Sequence, residues 1–278
     1  MLLWATLALA TTALTGIPTF QLTAMAFAIA ALLAVGKWVI RGEAILPHLA
    51  HPWPVWALGL GGLFGYHVCY FAAFAAAPAV EVNLINYLWP LLIVVLSSLL
   101  PGERLRWWHL AGAIAGLAGT ALLIGGRKAG FDPAYLGGYA LAVAAAFVWS
   151  SYSVLSRRFG SVPTDSIGGF CAGTAVLAFL VHLAFETWRW PQGWQWLIVL
   201  WTGLGPVGSA FYLWDHGVKH GDIRALGAMS YAIPLMSTLL LIAFGRAEAS
   251  VTLGLSCLLI VGGAVLAARD LWQRDSTG

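Results

Sequence analysis

Charged side chains are scarce in this sequence. They make up only 9% of the 278 residues, whereas a soluble domain carries about 25%. With so few charges, the protein cannot cover a surface that faces water, and a soluble globular domain is excluded. Hydrophobic residues make up 60%, with a mean hydropathy of +0.84. They come in blocks of roughly 17–25 residues, the length that crosses the hydrocarbon core of a bilayer. The composition therefore predicts an integral membrane protein.

Cysteine is also rare, and its spacing excludes the usual cysteine chemistry. Cys69, Cys171 and Cys257 are isolated, and no C-x-x-C motif is present. Each lies within an apolar block, where a thiol behaves as a small hydrophobic side chain. The sequence therefore predicts neither a redox centre nor a cofactor.

Histidine gives no better metal motif. His216 and His220 have the spacing of two ligands on one helix face, but Gly217 and Gly221 weaken a helix there. We predict no metal site. The net charge of +3 comes from Lys and Arg at the ends of apolar blocks rather than from a basic patch, so nucleic acid is not an expected partner.

None of the apolar blocks alternates polar with apolar residues, which excludes a β-barrel and favours continuous helices. No Lys or Arg precedes Lys37, so we interpret Leu2–Gly16 as a short first span rather than a signal peptide. Pro and Gly residues separate the blocks. The ten predicted spans are 2–16, 21–40, 54–76, 79–100, 105–125, 135–158, 164–187, 193–215, 222–244 and 249–268.

The basic residues predict the orientation, because cytoplasmic loops are enriched in Lys and Arg. With both termini in the cytoplasm, ten of the fourteen basic residues lie inside. These are Lys37, Arg41, Arg104, Arg106, Arg157, Arg158, Lys219, Arg224, Arg269 and Arg274. The four outside are Arg127, Lys128, Arg189 and Arg246. We expect Trp107, Trp108, Trp188, Trp190, Trp194 and Trp196 to mark the membrane interfaces.

One stretch of the sequence occurs twice. Asn86-Tyr87-Leu88-Trp89-Pro90 is followed 144 positions later by Ser230-Tyr231-Ala232-Ile233-Pro234, and Tyr-x-x-Pro is in register both times. Five spans per half is an odd number, so the second half is inverted relative to the first. We therefore predict an all-α membrane protein with ten transmembrane helices in two inverted-topology repeats, residues 1–128 and 129–278, forming one domain. This is the architecture of alternating-access carriers.

Several predicted helices combine aromatic rings with polar groups on one face, at spacings of three and four. Packing between helices explains such stripes equally well for any single residue. Rings recur in both halves, however, because Tyr70 aligns with Trp214 and Tyr87 with Tyr231. The pattern suits a flat apolar ligand with one polar end. The candidate substrate-binding residues are Tyr66, His67, Tyr70, Asn83, Asn86, Tyr87, Trp89, Trp149, Tyr152, Trp214, Ser230 and Tyr231.

Pro90 and Pro234 each remove a backbone hydrogen bond from a predicted span, and we interpret them as hinges. The freed carbonyl or amide groups could bind a zwitterionic amino acid, or neighbouring side chains could satisfy them. Glu81 and Asp215 are candidates for coupling transport to an ion, since ionisable groups within spans are costly. Proton-coupled and facilitated export are both compatible with the sequence.

The run from Ala79 to Pro90 resembles bacterial aromatic amino acid exporters of the drug/metabolite transporter (EamA-type) superfamily. The stretches Phe147–Tyr152 and Gly217–Gly221 are similar to theirs as well. The resemblance implies a ten-helix carrier in the bacterial inner membrane that exports Phe, Tyr, Trp and related compounds from a central cavity. It also implies that Glu81, Asn86, Tyr87, Trp89, Trp149 and Tyr152 occupy functional positions.

The sequence leaves two other functions as alternatives. Export of lipophilic cations by the same superfamily would require a carboxylate in the cavity, either Glu81 or Asp215. An intramembrane enzyme is a weaker alternative: Gly208-Ser209 and His216 resemble a rhomboid-type protease only superficially, because that motif needs glycine where Val207 stands. The sequence predicts a small-molecule substrate and surrounding lipid as partners, and it does not fix the oligomeric state.

Overall fold

The protein is helical throughout the part of the chain that is described. The structure, a computed structural model, describes residues 1–7, 9–10, 14, 16–124, 130–245 and 250–270, and these contain no β-strand. The predicted all-α class is confirmed. Arg127, Lys128, Arg246, Arg274 and the predicted repeat boundary after residue 128 lie outside the described residues.

The chain forms fifteen α-helices within the described residues, several of which join end to end into longer rods. They are α1 (Leu2–Ala5), α2 (Thr19–Ile40), α3 (Ile45–Leu49), α4 (Trp53–Leu60), α5 (Tyr66–Ala76), α6 (Ala79–Asn86), α7 (Trp89–Ser97), α8 (Trp107–Ile124), α9 (Leu136–Arg158), α10 (Ile167–Phe185), α11 (Gln195–Thr202), α12 (Ala210–His220), α13 (Ile223–Met229), α14 (Ala232–Ala243) and α15 (Val251–Ala267).

Eight helical rods in the described residues are long and apolar enough to cross a bilayer. They are Thr19–Ile40, Trp53–Ala76, Ala79–Ser97, Trp107–Ile124, Pro133–Arg158, Thr164–Phe185, Gln195–His220 and Ile223–Ala243. The apolar helix Val251–Ala267 is shorter. These nine segments coincide with the second to tenth predicted spans. The first predicted span is described only in part, because residues 8, 11–13 and 15 lie outside the described residues, and its start forms α1. The eighth predicted span ends at residue 215, but its helix continues to His220. The helix ends there because the chain turns only just before Asp222, which caps the next helix.

Two of these rods contain a π-helical segment. Gly61–Gly65 joins α4 to α5, and Gly203–Ser209 joins α11 to α12. Both segments are rich in glycine, and the second contains Pro206, which has no amide hydrogen to donate. Such π-segments locally widen a helix and often occur at functional positions.

The chain divides into two compact units. Unit 1 comprises Met1, Gly65–Arg158 and Gly217–Gly278; unit 2 comprises Leu2–Phe64 and Phe159–His216. The chain leaves unit 2 for unit 1 after Phe64, within the first π-helical segment, and again after His216, within α12.

Two apolar cores of unit 1 are formed by described residues. In one, Tyr231 and Leu235 pack with Val94, Ala113 and Ile260. In the other, Ala73, Val82, Tyr139 and Ala142 join α5, α6 and α9. Glycines allow close approach of α8 to α15: a Cβ on Gly112 would overlap the carbonyl oxygen of Gly263. Small residues of this kind are the usual means of tight packing between membrane helices.

Unit 2 is centred on α2, which packs along α10. A Cβ on Gly168 of α10 would overlap the Cβ of Ala34 on α2, so the two backbones lie close together. Phe27 of α2 stacks on Phe211, with ring centroids 5.7 Å apart. At the other end of α2, Glu186 accepts hydrogen bonds from the backbone amides of Phe20 and Gln21, both at 3.0 Å. These bonds satisfy amides that a helix start leaves unpaired.

Candidate functional site

Two tyrosines of α5 form the centre of the candidate site in unit 1. Tyr66 and Tyr70 lie one helical turn apart, and their rings stack with centroids 5.4 Å apart and planes 16° from parallel. Phe74 continues the stripe, with its ring edge-on to Tyr70 at 4.7 Å. His67 packs edge-on against Tyr66 at 5.2 Å. The spacing predicted from the sequence therefore forms a continuous aromatic face.

Two asparagines of α6 bond to these tyrosine hydroxyls. Tyr70 donates to Oδ1 of Asn83 at 2.8 Å, and Nδ2 of Asn86 donates to the hydroxyl oxygen of Tyr66 at 3.2 Å. Asn83 and Asn86 are three positions apart, so they share one face of α6. We call these four residues the tyrosine–asparagine cluster. Each hydroxyl thus has an amide partner inside a membrane segment, where an unpaired polar group is costly.

The cluster retains hydrogen-bonding capacity of its own. Asn86 is buried, with 4% of its surface exposed, and its Oδ1 has no partner among the described residues. The Tyr66 hydroxyl accepts from Asn86, and its own proton remains available to an acceptor. An unpaired donor and an unpaired acceptor therefore lie side by side in the cluster.

Tryptophans extend the aromatic face beyond α5. Trp149 of α9 lies 5.6 Å from Tyr66 and 5.4 Å from Tyr152, measured between ring centroids, and Trp89 meets Trp149 edge-on at 6.3 Å. Trp89, Trp149 and Tyr152 are buried. The rings of Tyr66, Tyr70 and Tyr87 are only half-buried. The structure thus places buried rings behind partly accessible ones.

The helix break before Pro90 lies next to the cluster. Helix α6 ends at Asn86 and α7 begins at Trp89, with Tyr87 and Leu88 between them. The Leu91 amide donates to the Tyr231 hydroxyl at 3.2 Å, and the Trp89 carbonyl accepts from Ser150 Oγ at 3.0 Å. Side chains of neighbouring helices therefore bond to these two backbone groups, and the binding of a ligand by groups that Pro90 frees stays a prediction.

The matching break in the second half has a different environment. Helix α13 ends at Met229 and α14 begins at Ala232. Ser230 donates to the Leu226 carbonyl at 2.7 Å, and Tyr231 is completely buried in the apolar core. The structure does not bring Ser230 and Tyr231 into the tyrosine–asparagine cluster.

Trp214 and Asp215 belong to unit 2. Trp214 lies 5.3 Å from Trp4 between ring centroids, and Asp215 accepts a hydrogen bond from Thr164 at 2.7 Å. Glu81 is in unit 1, where its Oε1 accepts from the Gly130 amide at 2.9 Å. Both candidate coupling carboxylates are buried, at 4% exposure for Glu81 and 3% for Asp215, and each is hydrogen-bonded.

A charged network at one end of unit 1 was not predicted from the sequence. Glu103 lies 2.9 Å from Arg157 and 3.4 Å from Arg224, and Arg224 also pairs with Asp222 at 2.8 Å. Arg157 and Arg224 donate as well to the carbonyls of Val218 and Arg104, each at 2.9 Å. The network lines a cavity of about 610 Å³. Its members come from the loop before α8, the end of α9 and the start of α13, which are far apart in sequence, so spacing alone gives no sign of it.

Asp222 is a carboxylate of that network and lies between two spans. Burial disfavours its charged form, but the hydrogen bonds and charge of Arg224 outweigh burial and hold the pKa of Asp222 below its ordinary value. Asp222 is therefore ionised at neutral pH.

Unit 2 contains a cluster that could suggest a metal site. Ligand atoms of Glu43, His48 and Asp165 all lie within 4.8 Å of one another. The Lys37 ammonium already forms an ion pair with Asp165, and His48 lies 3.0 Å from Glu43. Since Lys37 supplies the positive charge, the cluster is explained as an ion-pair network without a metal.

Both halves of the sequence match one family of transporters. Residues 1–125 and 136–269 match the EamA-like transporter family. The chain belongs to this family, and it is a multi-pass membrane transporter rather than an enzyme.

Individual relatives are similar over most of the chain. The aromatic amino acid exporter YddG of Ancylobacter novellus is 53% identical over 269 residues, covering 96% of this chain and 93% of that protein. The aromatic amino acid exporter YddG of Escherichia coli (strain K12) is 24% identical over 204 residues, covering 68% of this chain and 66% of that protein. A solved crystal structure superposes with a TM-score of 0.93 at 53% identity, covering 97% of this chain and 95% of that chain.

Proposed function

We propose that this protein exports aromatic amino acids and related small molecules by alternating access. The observation that carries the proposal is the tyrosine–asparagine cluster, in which stacked phenol rings are bonded to amides inside a membrane segment. A relative that is 53% identical over nearly the whole chain bears the name of an aromatic amino acid exporter, which supports the same substrate class.

The cluster suits both parts of such a substrate. Partly accessible rings favour an aromatic side chain, and each offset-stacked or edge-on pair contributes about 0.5–1.5 kcal/mol. Asn86 Oδ1 can accept from the ammonium group, and the Tyr66 hydroxyl can donate to the carboxylate. We therefore assign Tyr66, Tyr70, Asn83 and Asn86 to substrate binding. His67, Tyr87, Trp89, Trp149 and Tyr152 shape the surrounding face.

Inverted repeats account for the architecture. The shift of 144 positions that aligns Tyr87 with Tyr231 carries Gly61–Gly65 onto the second π-helical segment, Gly203–Ser209. The same shift carries α8 onto α15. Two five-helix repeats would lie in opposite orientations, with both termini in the cytoplasm and the carrier in the bacterial inner membrane. Bending at Pro90 and Pro234 would exchange the two access states.

Counterflow of labelled tryptophan in proteoliposomes tests the proposal. We expect Tyr66→Phe to keep the ring stack but lose the hydroxyl that binds the carboxylate, and Asn86→Leu to lose the acceptor for the ammonium. Each lost bond to a charged group is worth about 1.5–3 kcal/mol, so tryptophan transport should fall roughly tenfold or more. Running the assay with and without a pH gradient distinguishes proton-coupled from facilitated export.

Tyr135→Phe is the matched control, because Tyr135 lies in the exposed turn Pro133–Tyr135 and loses the same hydroxyl. Its transport should equal that of the unmodified protein. Tryptamine, which lacks the carboxylate, distinguishes amino acid export from cation export. If tryptamine is transported at the same rate as tryptophan, and Glu81→Gln abolishes tryptamine transport, the protein is a cation exporter and the proposal is wrong.

A further inference from the structure

Two arginines of unit 1 lie over the same tryptophan. The guanidinium carbon of Arg106 is 5.0 Å from the centroid of the Trp108 ring, and that of Arg269 is 5.1 Å from the same centroid. Each distance is within the range of a cation–π interaction. Both arginines are exposed. Two like charges thus share one ring at a surface position, and their guanidinium carbons are no farther apart than the sum of the two distances.

The arginines come from the ends of two helices that pack tightly. Arg106 directly precedes α8, and Arg269 follows the end of α15. The close approach of Gly112 to Gly263 holds these helices together. The first turn of α8 has no acidic residue, so its positive dipole end adds to the charge of the arginines. The packing of α8 against α15 therefore brings these two arginine positions to the same tryptophan ring.

Nearby acidic groups are engaged elsewhere. Asp270 lies 3.2 Å from Nε2 of the buried His109, and Glu103 bonds to Arg157 and Arg224. Among the described residues, neither Arg106 nor Arg269 has an acidic partner within ion-pair distance. Within the described part of the chain, the pair therefore has no ion-pair partner that would compete with an external anion.

The surroundings are those of a membrane interface. Trp107 is 66% exposed at the start of α8, and tryptophans at helix ends typically lie at the level of lipid headgroups. Farther along the two helices, Ile114, Val261 and Val265 present exposed apolar side chains that match acyl chains. An anion that binds here has its charge beside the arginines and its apolar part along α8 and α15.

We propose that Arg106, Arg269 and the Trp108 ring form a binding site for the headgroup of an anionic phospholipid. The phosphodiester bridges the two guanidinium groups, which favour phosphate oxygens through charge-assisted hydrogen bonds. A headgroup without an amine, as in phosphatidylglycerol, leaves this negative charge uncompensated. Phosphatidylglycerol is therefore preferred over the zwitterionic phosphatidylcholine.

Electron spin resonance of spin-labelled lipids tests the site on the full chain in proteoliposomes. The measured quantity is the association constant of labelled phosphatidylglycerol relative to labelled phosphatidylcholine. Because one arginine near an anionic headgroup contributes about 1 kcal/mol, the variant Arg106→Gln/Arg269→Gln should lower that ratio at least about fivefold. Inorganic phosphate at millimolar concentration should not displace the lipid, because it lacks acyl chains.

Arg41 and Arg158 provide the control, because both are exposed and neither makes a cation–π contact with Trp108 among the described residues. The variant Arg41→Gln/Arg158→Gln loses the same charge and should retain the lipid preference. An equal loss in both double variants, or an unchanged ratio in Arg106→Gln/Arg269→Gln, would overturn the proposal. If circular dichroism shows that Arg106→Gln/Arg269→Gln does not fold, Trp108→Leu replaces it in the test. This variant keeps both charges but removes the ring beneath them, so it should lower the ratio of association constants. An unchanged ratio in Trp108→Leu also overturns the proposal. Transport is not measured, so the result is independent of the exported substrate.

Discussion

At the scale of single residues, Tyr231 fills the space that Gly116 leaves beside it. A Cβ on Gly116 would overlap the ring of Tyr231, which is completely buried between α7, α8 and α15. The hydroxyl of the same tyrosine accepts from the Leu91 amide, so the ring is held at both ends. It cannot move away without breaking that bond or displacing its apolar neighbours.

We therefore expect Gly116→Ala to destabilise the protein. Adding a carbon to a tightly packed interior typically costs about 1–3 kcal/mol, which should appear as a lower midpoint of thermal unfolding in detergent. Gly254→Ala is the control, because Gly254 lies in α15 with no atom within 4 Å of a new Cβ. There alanine improves helix propensity by about 1 kcal/mol. Equal midpoints for the two variants would contradict the packing described for Tyr231.

At the scale of helices, the start of α13 depends on Asp222. Its carboxylate accepts from the backbone amides of Arg224 at 3.0 Å and Ala225 at 3.2 Å, and it also pairs with the Arg224 side chain. Arg224 is buried and is shared with Glu103. One carboxylate thus caps a helix and neutralises a buried guanidinium, which joins α13 to the loop before α8.

Two substitutions separate these roles. Asp222→Asn keeps a good cap but removes the charge, and Asp222→Ala removes both. We expect both variants to be less stable at pH 7 than the original protein. The free energy of unfolding of the alanine variant should be lower than that of the asparagine variant by about 0.5–2 kcal/mol, because the cap is lost as well. Thermal unfolding in detergent measures both differences. If the alanine variant is no less stable than the asparagine variant, the cap contributes nothing.

The charge of Asp222 also predicts a pH dependence. Its folded pKa lies below the unfolded value of about 3.9, so its stabilisation is complete above that value and is lost as the pH falls through the folded pKa. The difference in unfolding midpoint between the original protein and Asp222→Asn should therefore be constant from pH 7 to 5 and shrink below about pH 4. A difference that grows in acid would refute the assignment.

The helix breaks show how similar sequences give different local environments. Tyr87 and Tyr231 both stand just after a helix end and three positions before a proline. Tyr87 is half-buried, whereas Tyr231 is enclosed in the core. The proline determines the break in both cases, because it cannot donate a backbone hydrogen bond. The neighbouring helices determine what the tyrosine then contacts.

At the scale of the whole molecule, the proposed inverted topology predicts which loops face which side of the membrane. Helix α9 separates the exposed turn at Ala134 from the exposed loop at Ser161. With both termini in the cytoplasm, Ala134 lies outside and Ser161 lies inside.

Single cysteines introduced at these positions test the orientation, in a protein whose three native cysteines are replaced. In intact cells, a membrane-impermeant maleimide should label Ala134→Cys and leave Ser161→Cys unlabelled until the membrane is opened. The reverse pattern would invert the assigned orientation, and labelling of both in intact cells would exclude α9 as a complete span. A variant without cysteine gives the background.

The sequence alone determined that the bilayer is the solvent of this protein and where its helices break. Long apolar blocks exclude a water-facing surface, and Pro or Gly interrupts a helix whatever surrounds it. Nine of the ten predicted spans accordingly coincide with helices in the described residues. The stripe of Tyr66, Tyr70 and Phe74 was also predictable, because it depends only on the helical repeat.

Only the tertiary structure decided which polar groups meet. The bonds from Tyr70 to Asn83 and from Asn86 to Tyr66, the sharing of Glu103 by Arg157 and Arg224, and the paired arginines over Trp108 all join different elements. The π-helical segments also escaped the sequence pattern, since segments of 5 and 7 residues are too short for apolar spacing to distinguish a π-helix from an α-helix. Local spacing fixes the face on which a side chain stands, but the partner on that face is supplied by a distant part of the chain.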